Sequence, residues 1–271
     1  MPNPHLPPEL LDQIVDLLYD VRDALKACCL VSKSWIPRAR RHLFSHIAFR
    51  STKNLQSWKT LFPDPSTSPA SYTRFLLAEC SQVITDADAE KGGWIPTFSQ
   101  VVHFEVGIYC GWSIDELELS LTPFHGFSPA LKSLRINFAD ISPSCVSDFI
   151  HSFPRLQDLA VTTLSFERSD SFHAQSVTVQ SSTPSAFTGS LKISMSMGMN
   201  SLASRLLSLP TGLHFRKLSL TWNREEDVPL TMAFVEECSS TLETLEIKCG
   251  HLGTTVQHQR SHQRLTSANL C

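Results

Sequence analysis

The chain has 271 residues, 42% of them hydrophobic and 18% charged, with a formal net charge of −3. This describes a globular protein and argues against a dedicated nucleic-acid binder, which is usually strongly basic. No apolar run reaches the roughly 18 residues that a membrane span needs. The opening Met1-Pro2-Asn3-Pro4-His5 has neither the basic nor the apolar region of a secretory signal, so a cytoplasmic or nuclear protein is expected.

Pro7 and Pro8 stand where a first helix should begin, because a helix start has no use for their missing N–H and favours their fixed φ. Glu9 suits the positive end of that helix. Projected at about 100° per residue, Leu10, Leu11, Ile14, Val15, Leu17, Leu18 and Val21 fall in one sector roughly 160° wide. Glu9, Asp12, Gln13, Asp16 and Asp20 fill the opposite sector. Asp23 reads as the N-cap of a second short helix carrying Leu25, Cys28, Cys29 and Leu30. Ser32 reads as the cap of a third, with Trp35, Leu43 and Phe44 on its apolar side and Arg38, Arg40 and Arg41 toward water. A module of about 45 residues rarely closes a sufficient core without a staple. The apolar sector of the first helix is therefore expected to cover both an internal neighbour and a partner.

Leu55, Trp58, Leu61 and Phe62 lie at helical spacing, and Pro63-Asp64-Pro65-Ser66-Thr67-Ser68-Pro69 ends that helix in a loop. A pattern of apolar, two residues, apolar, one residue, apolar then recurs. It begins at positions 72, 101, 131, 156, 215 and 242, with a degenerate copy at 188. The copies are Tyr72-x-x-Phe75-x-Leu77, Val101-x-x-Phe104-x-Val106, Leu131-x-x-Leu134-x-Ile136, Leu156-x-x-Leu159-x-Val161, Thr188-x-x-Leu191-x-Ile193, Phe215-x-x-Leu218-x-Leu220 and Leu242-x-x-Leu245-x-Ile247. Their spacing lies near the leucine-rich repeat range of about 20 to 29 residues. Helical patterns intervene at 145–153, 201–209 and 231–238. In each strand the second and third apolar positions share a face, which stacked neighbours bury. The expected fold is α+β or α/β: three N-terminal helices followed by an irregular, leucine-rich-repeat-like strand–helix solenoid. Expected boundaries are 1–50, 51–70, 71–248 and a polar, disordered tail at 249–271 with no cap on the solenoid edge.

The segments Leu6-Pro7-Pro8-Glu9-Leu10-Leu11, Ile14 with Leu17-Leu18, Asp23-Ala24-Leu25, Val31-Ser32-Lys33-Ser34-Trp35 and Leu43-Phe44 resemble an F-box in order and spacing. The match covers about a sixth of the chain. The resemblance implies a three-helix module that binds the SKP-type adaptor, and through it the cullin, of an SCF-type ubiquitin ligase. By position, the adaptor contacts implied are Leu6, Pro7, Leu10, Leu11 and Ile14, with Trp35 supporting the packing or the contact. The body is similar to the C-terminal region of F-box proteins of mushroom-forming fungi. That likeness rests on Phe62 to Pro69, Leu121-Thr122-Pro123-Phe124-His125-Gly126-Phe127-Ser128-Pro129, Phe187-Thr188-Gly189-Ser190-Leu191 and Leu213-His214-Phe215-Arg216-Lys217-Leu218. It implies a non-catalytic subunit that holds an unidentified target protein near the ligase.

Other chemistry finds little footing. There is no Gly-rich phosphate loop and no GxSxG elbow, so no cofactor and no catalytic residue is expected. The eight cysteines form no CxxC and read as small buried hydrophobes, Cys28-Cys29 included. Cys249, His251, His258 and His262 lack a second well-spaced donor pair, so no metal is expected. His103, His125, His151 and His214 are scattered, and Asp86, Asp88 and Glu90 form an acidic run without the glycine of a calcium loop. The alternatives are a repeat scaffold outside any ligase, a helix-turn-helix module at residues 8–44 disfavoured by its acidic first helix, and a hydrolase disfavoured by the missing nucleophile motif.

Overall fold

The computed structural model describes residues 7–79, 93–108, 121–140, 143–165, 187–195, 199–209, 212–222, 227–249 and 254–259. Contacts divide the chain into two compact units, Met1–Lys132 and Ser133–Cys271. The expectations for Leu6, for Asp86, Asp88 and Glu90 and for His251 and His262 lie outside the described residues.

The first unit opens with helices α1 (Pro8–Leu17), α2 (Arg22–Val31) and α3 (Ile36–Leu43). Pro7 is extended, and its carbonyl accepts the N–H groups of Leu10 and Leu11 at 3.0 and 3.2 Å, which starts α1. The two other helix starts differ from expectation. Asp23 does not cap α2, which begins at Arg22. It lies inside the first turn, where its carboxylate accepts from Lys26 Nζ at 2.8 Å. Ser32 does not cap α3 either. Its Oγ closes a small turn onto Ser34 N at 3.3 Å, and the helix starts later, at Ile36. Pro37 explains the delay, since proline belongs in a first helical turn and nowhere further in. The three helices share a small core of Val15, Leu25, Cys28 and Ala39, with Leu18, Cys29, Trp35 and Leu43 packed against it.

The chain enters strand β1 (His46–Phe49) two residues after α3 ends, and helix α4 (Thr52–Leu61) follows. Leu55 and Trp58 of α4 are buried, while Leu61 faces outward. Trp58 lies among Phe44, Phe49, Phe62 and Phe98, at ring-centroid distances from 4.7 to 6.0 Å. These rings join the end of α3, β1, α4 and the 3₁₀ turn Ile95–Phe98 in one packed cluster. Both sides of positions 50 and 70 accordingly belong to one compact unit, Met1–Lys132.

Strands β1, β2 (Phe75–Glu79) and β3 (His103–Ile108) pair in parallel. Ile47, Leu76 and Phe104 stand in register on the buried face, as do Phe49, Ala78 and Val106. In β2 the expected inward pair Phe75 and Leu77 is therefore wrong by one residue. The cause is backbone pairing: Ser45 O accepts the N–H groups of both Arg74 and Phe75 at 2.9 Å. Arg74 O in turn accepts those of Val102 and His103 at 2.8 and 3.0 Å. This shared-acceptor step fixes the register and sends Phe75 to the other face, stacked on His46 at 5.6 Å. A one-residue shift exchanges the two faces of a strand.

The second unit has β4 (Ser133–Asp140), helix α5 (Pro143–His151), β5 (Asp158–Ser165), β6 (Ser190–Met195), helix α6 (Met199–Leu207), β7 (Lys217–Trp222), helix α7 (Val228–Glu237), β8 (Thr244–Cys249) and β9 (Thr254–Gln259). Strands β4 to β8 are parallel neighbours in sequence order. Leu134, Leu159, Leu191, Leu218 and Leu245 form one inward row, and Ile136, Val161, Ile193, Leu220 and Ile247 the next. Val146, Phe149 and Ile150 of α5, Leu202 and Leu206 of α6, and Phe234 of α7 are buried with them. The shared-acceptor step recurs: Gly189 O takes Arg216 N and Lys217 N, and Arg216 O takes Glu243 N and Thr244 N. A Cβ on Gly189 would collide with Asp158 Oδ1 and stand 2.8 Å from the Gln157 carbonyl oxygen, a backbone atom that cannot give way, so only glycine admits this approach. The tail expected to be disordered contains β9, which pairs antiparallel along β8, from Thr244↔Gln259 to Cys249↔Thr254. For residues 254–259 the expected disorder is corrected, because a polar segment with β-branched residues can complete a neighbouring strand's backbone bonds.

Candidate docking surface

Helix α1 carries more apolar surface than its module uses. At 3.6 residues per turn its apolar sector separates into two stripes. Val15 and Leu18 lie on the inner one, against the core, with Leu11 half-buried. Leu10, Ile14 and Leu17 lie on the outer one, 44%, 42% and 78% exposed. Exposure continues along the chain through Tyr19 and Val21 and recurs at the end of α2, where Leu30 is 89% and Val31 69% exposed. Single exposed leucines are ordinary, but so many large apolar side chains on so small a module form an unusual concentration.

The residues singled out from the sequence fall into three groups. Leu10 and Ile14 are exposed and in line, one turn apart. Leu11 is half-buried, and Pro7 is exposed at the helix start. Trp35 packs against the core, so its place is in holding the helices together. Leu17, Leu30 and Val31 were not singled out for contact. Leu17 was readable in the helical projection, but the outward turn of Leu30 and Val31 is decided by how α2 seats on α3.

An ion-pair cluster fixes the angle at which the outer stripe is presented. Asp16 of α1 accepts from Arg38 Nε at 2.6 Å and from Arg38 Nη2, and its Oδ1 lies 2.7 Å from His42 Nε2. The Arg38 and His42 hydrogen bonds hold the Asp16 carboxyl well below the usual carboxylate range, and the Asp16 carboxylate raises Arg38. Asp16 and Arg38 read as water-facing in the sequence. They meet because α1 and α3 pack together, across 22 residues of chain. Burial pushes the Cys29 thiol up, which disfavours the thiolate that redox or nucleophilic chemistry requires.

Among the described residues no group of three or more His, Cys, Asp or Glu side chains is placed to hold a metal ion, and no helix is long and apolar enough to cross a membrane. Comparison with protein-family models, with curated proteins and with solved structures returned no match.

Proposed function

We propose that this chain is the substrate-recognition subunit of an SCF-type cullin-RING ubiquitin ligase. In this reading α1 to α3 form an F-box that docks on a SKP-type adaptor, which links the chain to the cullin. The strand–helix body, an irregular leucine-rich-repeat-like array, receives the target protein. The chain itself makes and breaks no bond. It acts by tethering, which raises the effective concentration of the target near the ubiquitin-loaded enzyme.

The observation that carries the reading is the outer stripe of α1. An amphipathic helix with apolar residues at i, i+4 and i+7 is the form that seats in a hydrophobic groove. Leu10, Ile14 and Leu17 are 44%, 42% and 78% exposed, so covering what remains contributes about 0.7–2 kcal/mol each, enough for the three together to help anchor a complex. The F-box-like order of Leu-Pro, Lys-x-Trp and Leu-Phe elements adds to it.

The test is co-expression with a SKP-type adaptor and affinity capture. Leu10→Asp and Leu17→Asp each place a carboxylate in the groove, at a cost of several kcal/mol if unpaired, which is roughly a hundredfold or more in affinity. Both side chains are exposed in the free chain, so circular dichroism and the melting curve stay as in the wild type. Capture of both variants at the wild-type level refutes this interface.

A further inference from the structure

We propose that the outward face of the second unit's sheet binds an extended acidic peptide, with Lys192 and Lys217 as its charge contacts. The proposal rests on the part of the reading above that gives this unit the target, and it supplies the target's chemistry.

Strand alternation turns one set of side chains away from the buried rows. In register these are Ser133, Asp158, Ser190, Lys217 and Thr244, then Arg135, Ala160, Lys192, Ser219 and Glu246, then Asn137, Thr162, Ser194, Thr221 and Lys248. The face holds four cations and two anions, on a chain whose net charge is −3. Both anions are occupied. Asp158 accepts from Ser190 N and Ser190 Oγ, each at 2.7 Å. Glu246 accepts from Ser219 Oγ at 2.8 Å and lies 3.0 Å from Lys248 Nζ. The side chains of Lys192 and Lys217 are exposed and, among the described residues, make no side-chain hydrogen bond or ion pair. They stand on adjacent strands, one two-residue step apart, about 8 Å between Cα atoms by strand geometry. Asp158 stands one diagonal step from Lys192 and Glu246 one from Lys217, yet four cations against two anions leave this face a net charge of +2, which favours an anion that joins the two lysines.

The spacing selects the anion's form. Carboxylates at alternate positions of an extended peptide share a face about 7 Å apart, within reach of two flexible lysine stems. Small side chains surround the pair: Ala160 and Ser219 flank Lys192 in its row, and Ser194 and Thr221 lie one step on. They leave room for a backbone to lie flat, and Ser194 and Thr221 can offer hydroxyls to its carbonyls. Among the described residues the outward rows carry no aromatic ring on which a nucleic-acid base could stack. The same described rows hold one arginine, Arg135, and so no forked Arg cluster of the kind that recognises phosphorylated residues.

Fluorescence anisotropy on the full chain tests the proposal with a labelled peptide of alternating Glu and Ser, against a Gln–Ser peptide of equal length. The Glu peptide binds and is released as salt rises, whereas the Gln peptide does not bind. Lys192→Glu combined with Lys217→Glu weakens binding about tenfold or more, while Lys53→Glu on α4 leaves it unchanged. Equal binding of both peptides, no loss in the double variant, or preference for a single-stranded DNA of equal charge overturns the proposal. No adaptor is present in this assay, so its failure leaves adaptor capture standing, and failed capture leaves peptide binding standing.

Discussion

Asp16 shows how one carboxylate can set the direction in which a neighbouring apolar stripe faces. Its two oxygens take Arg38 and His42 from α3, so the roll of α1 about its own axis is fixed, and with it the direction of Leu10, Ile14 and Leu17. The cluster is about a third exposed, so solvent screens it and its contribution to stability is modest. The sign of its pH dependence follows from the direction of the shift. The folded-state value of Asp16 lies below the unfolded one, so its contribution is fully present above 3.8 and is lost as pH falls further, toward the folded value. Asp16→Asn is expected to lower the melting temperature at neutral pH and to leave a flatter acid limb than the wild type. Melting curves collected from pH 7 down to pH 3 check this, and two parallel curves with no convergence on the acid side argue that Asp16 carries no linked stability.

The elements were legible where periodicity alone decided them. Three N-terminal helices and the apolar pairs of β3 to β8 could be read because each strand or helix had one face to hide. Helix caps were not, since Pro37 and the turn at Ser32 outcompeted the local signal. Strand β1 was missed because Phe44-x-x-Ile47-x-Phe49 carries the repeat's own spacing inside what reads as the helical module. The frame of β2 was missed because Phe75, Leu76 and Leu77 are all apolar, leaving no alternation from which to choose. Only the backbone bonds from Arg74 and Phe75 to Ser45 decide it. This assignment has a measurable consequence. Leu76 is fully buried and Leu77 half-buried, so Leu76→Ala is expected to cost about 2–5 kcal/mol and Leu77→Ala clearly less. Equilibrium denaturant unfolding of both variants separates the two frames, and the reverse order restores the one read from sequence. The candidate surface was half legible in the same sense. The apolar sector of α1 was visible, but its division into inner and outer stripes depends on which side α3 takes, and Arg38 and Ala39 settle that by tertiary contact.

At the scale of the whole chain, the question is what the helical module needs in order to fold. Among the described residues its own core has four buried side chains, Val15, Leu25, Cys28 and Ala39, two of them small. Modules of this size are marginal without further support. The support available within the first unit is aromatic. Phe44, directly after α3, packs edge-on against Trp58 and Phe62 at 6.0 Å, and Phe49 of β1 packs against Trp58 and Phe98 at 5.9 Å. Aromatic pairs of this kind contribute about 0.5–1.5 kcal/mol each beyond their buried area. A fragment ending at Arg50 keeps both phenylalanines and loses every ring they pack against. It also leaves β1 without β2, so the backbone of His46 to Phe49 has no ladder. The fragment 1–50 is therefore expected to show weak helical signal and no cooperative melt. The fragment 1–132, which retains α4, Phe98 and three paired strands, is expected to unfold in one cooperative transition. Circular dichroism with thermal and urea titration of both fragments decides the point. A cooperative transition in 1–50 at the midpoint of 1–132 means the helices close their own core, and the outer stripe of α1 then belongs to an autonomous module rather than to one braced by the sheet behind it.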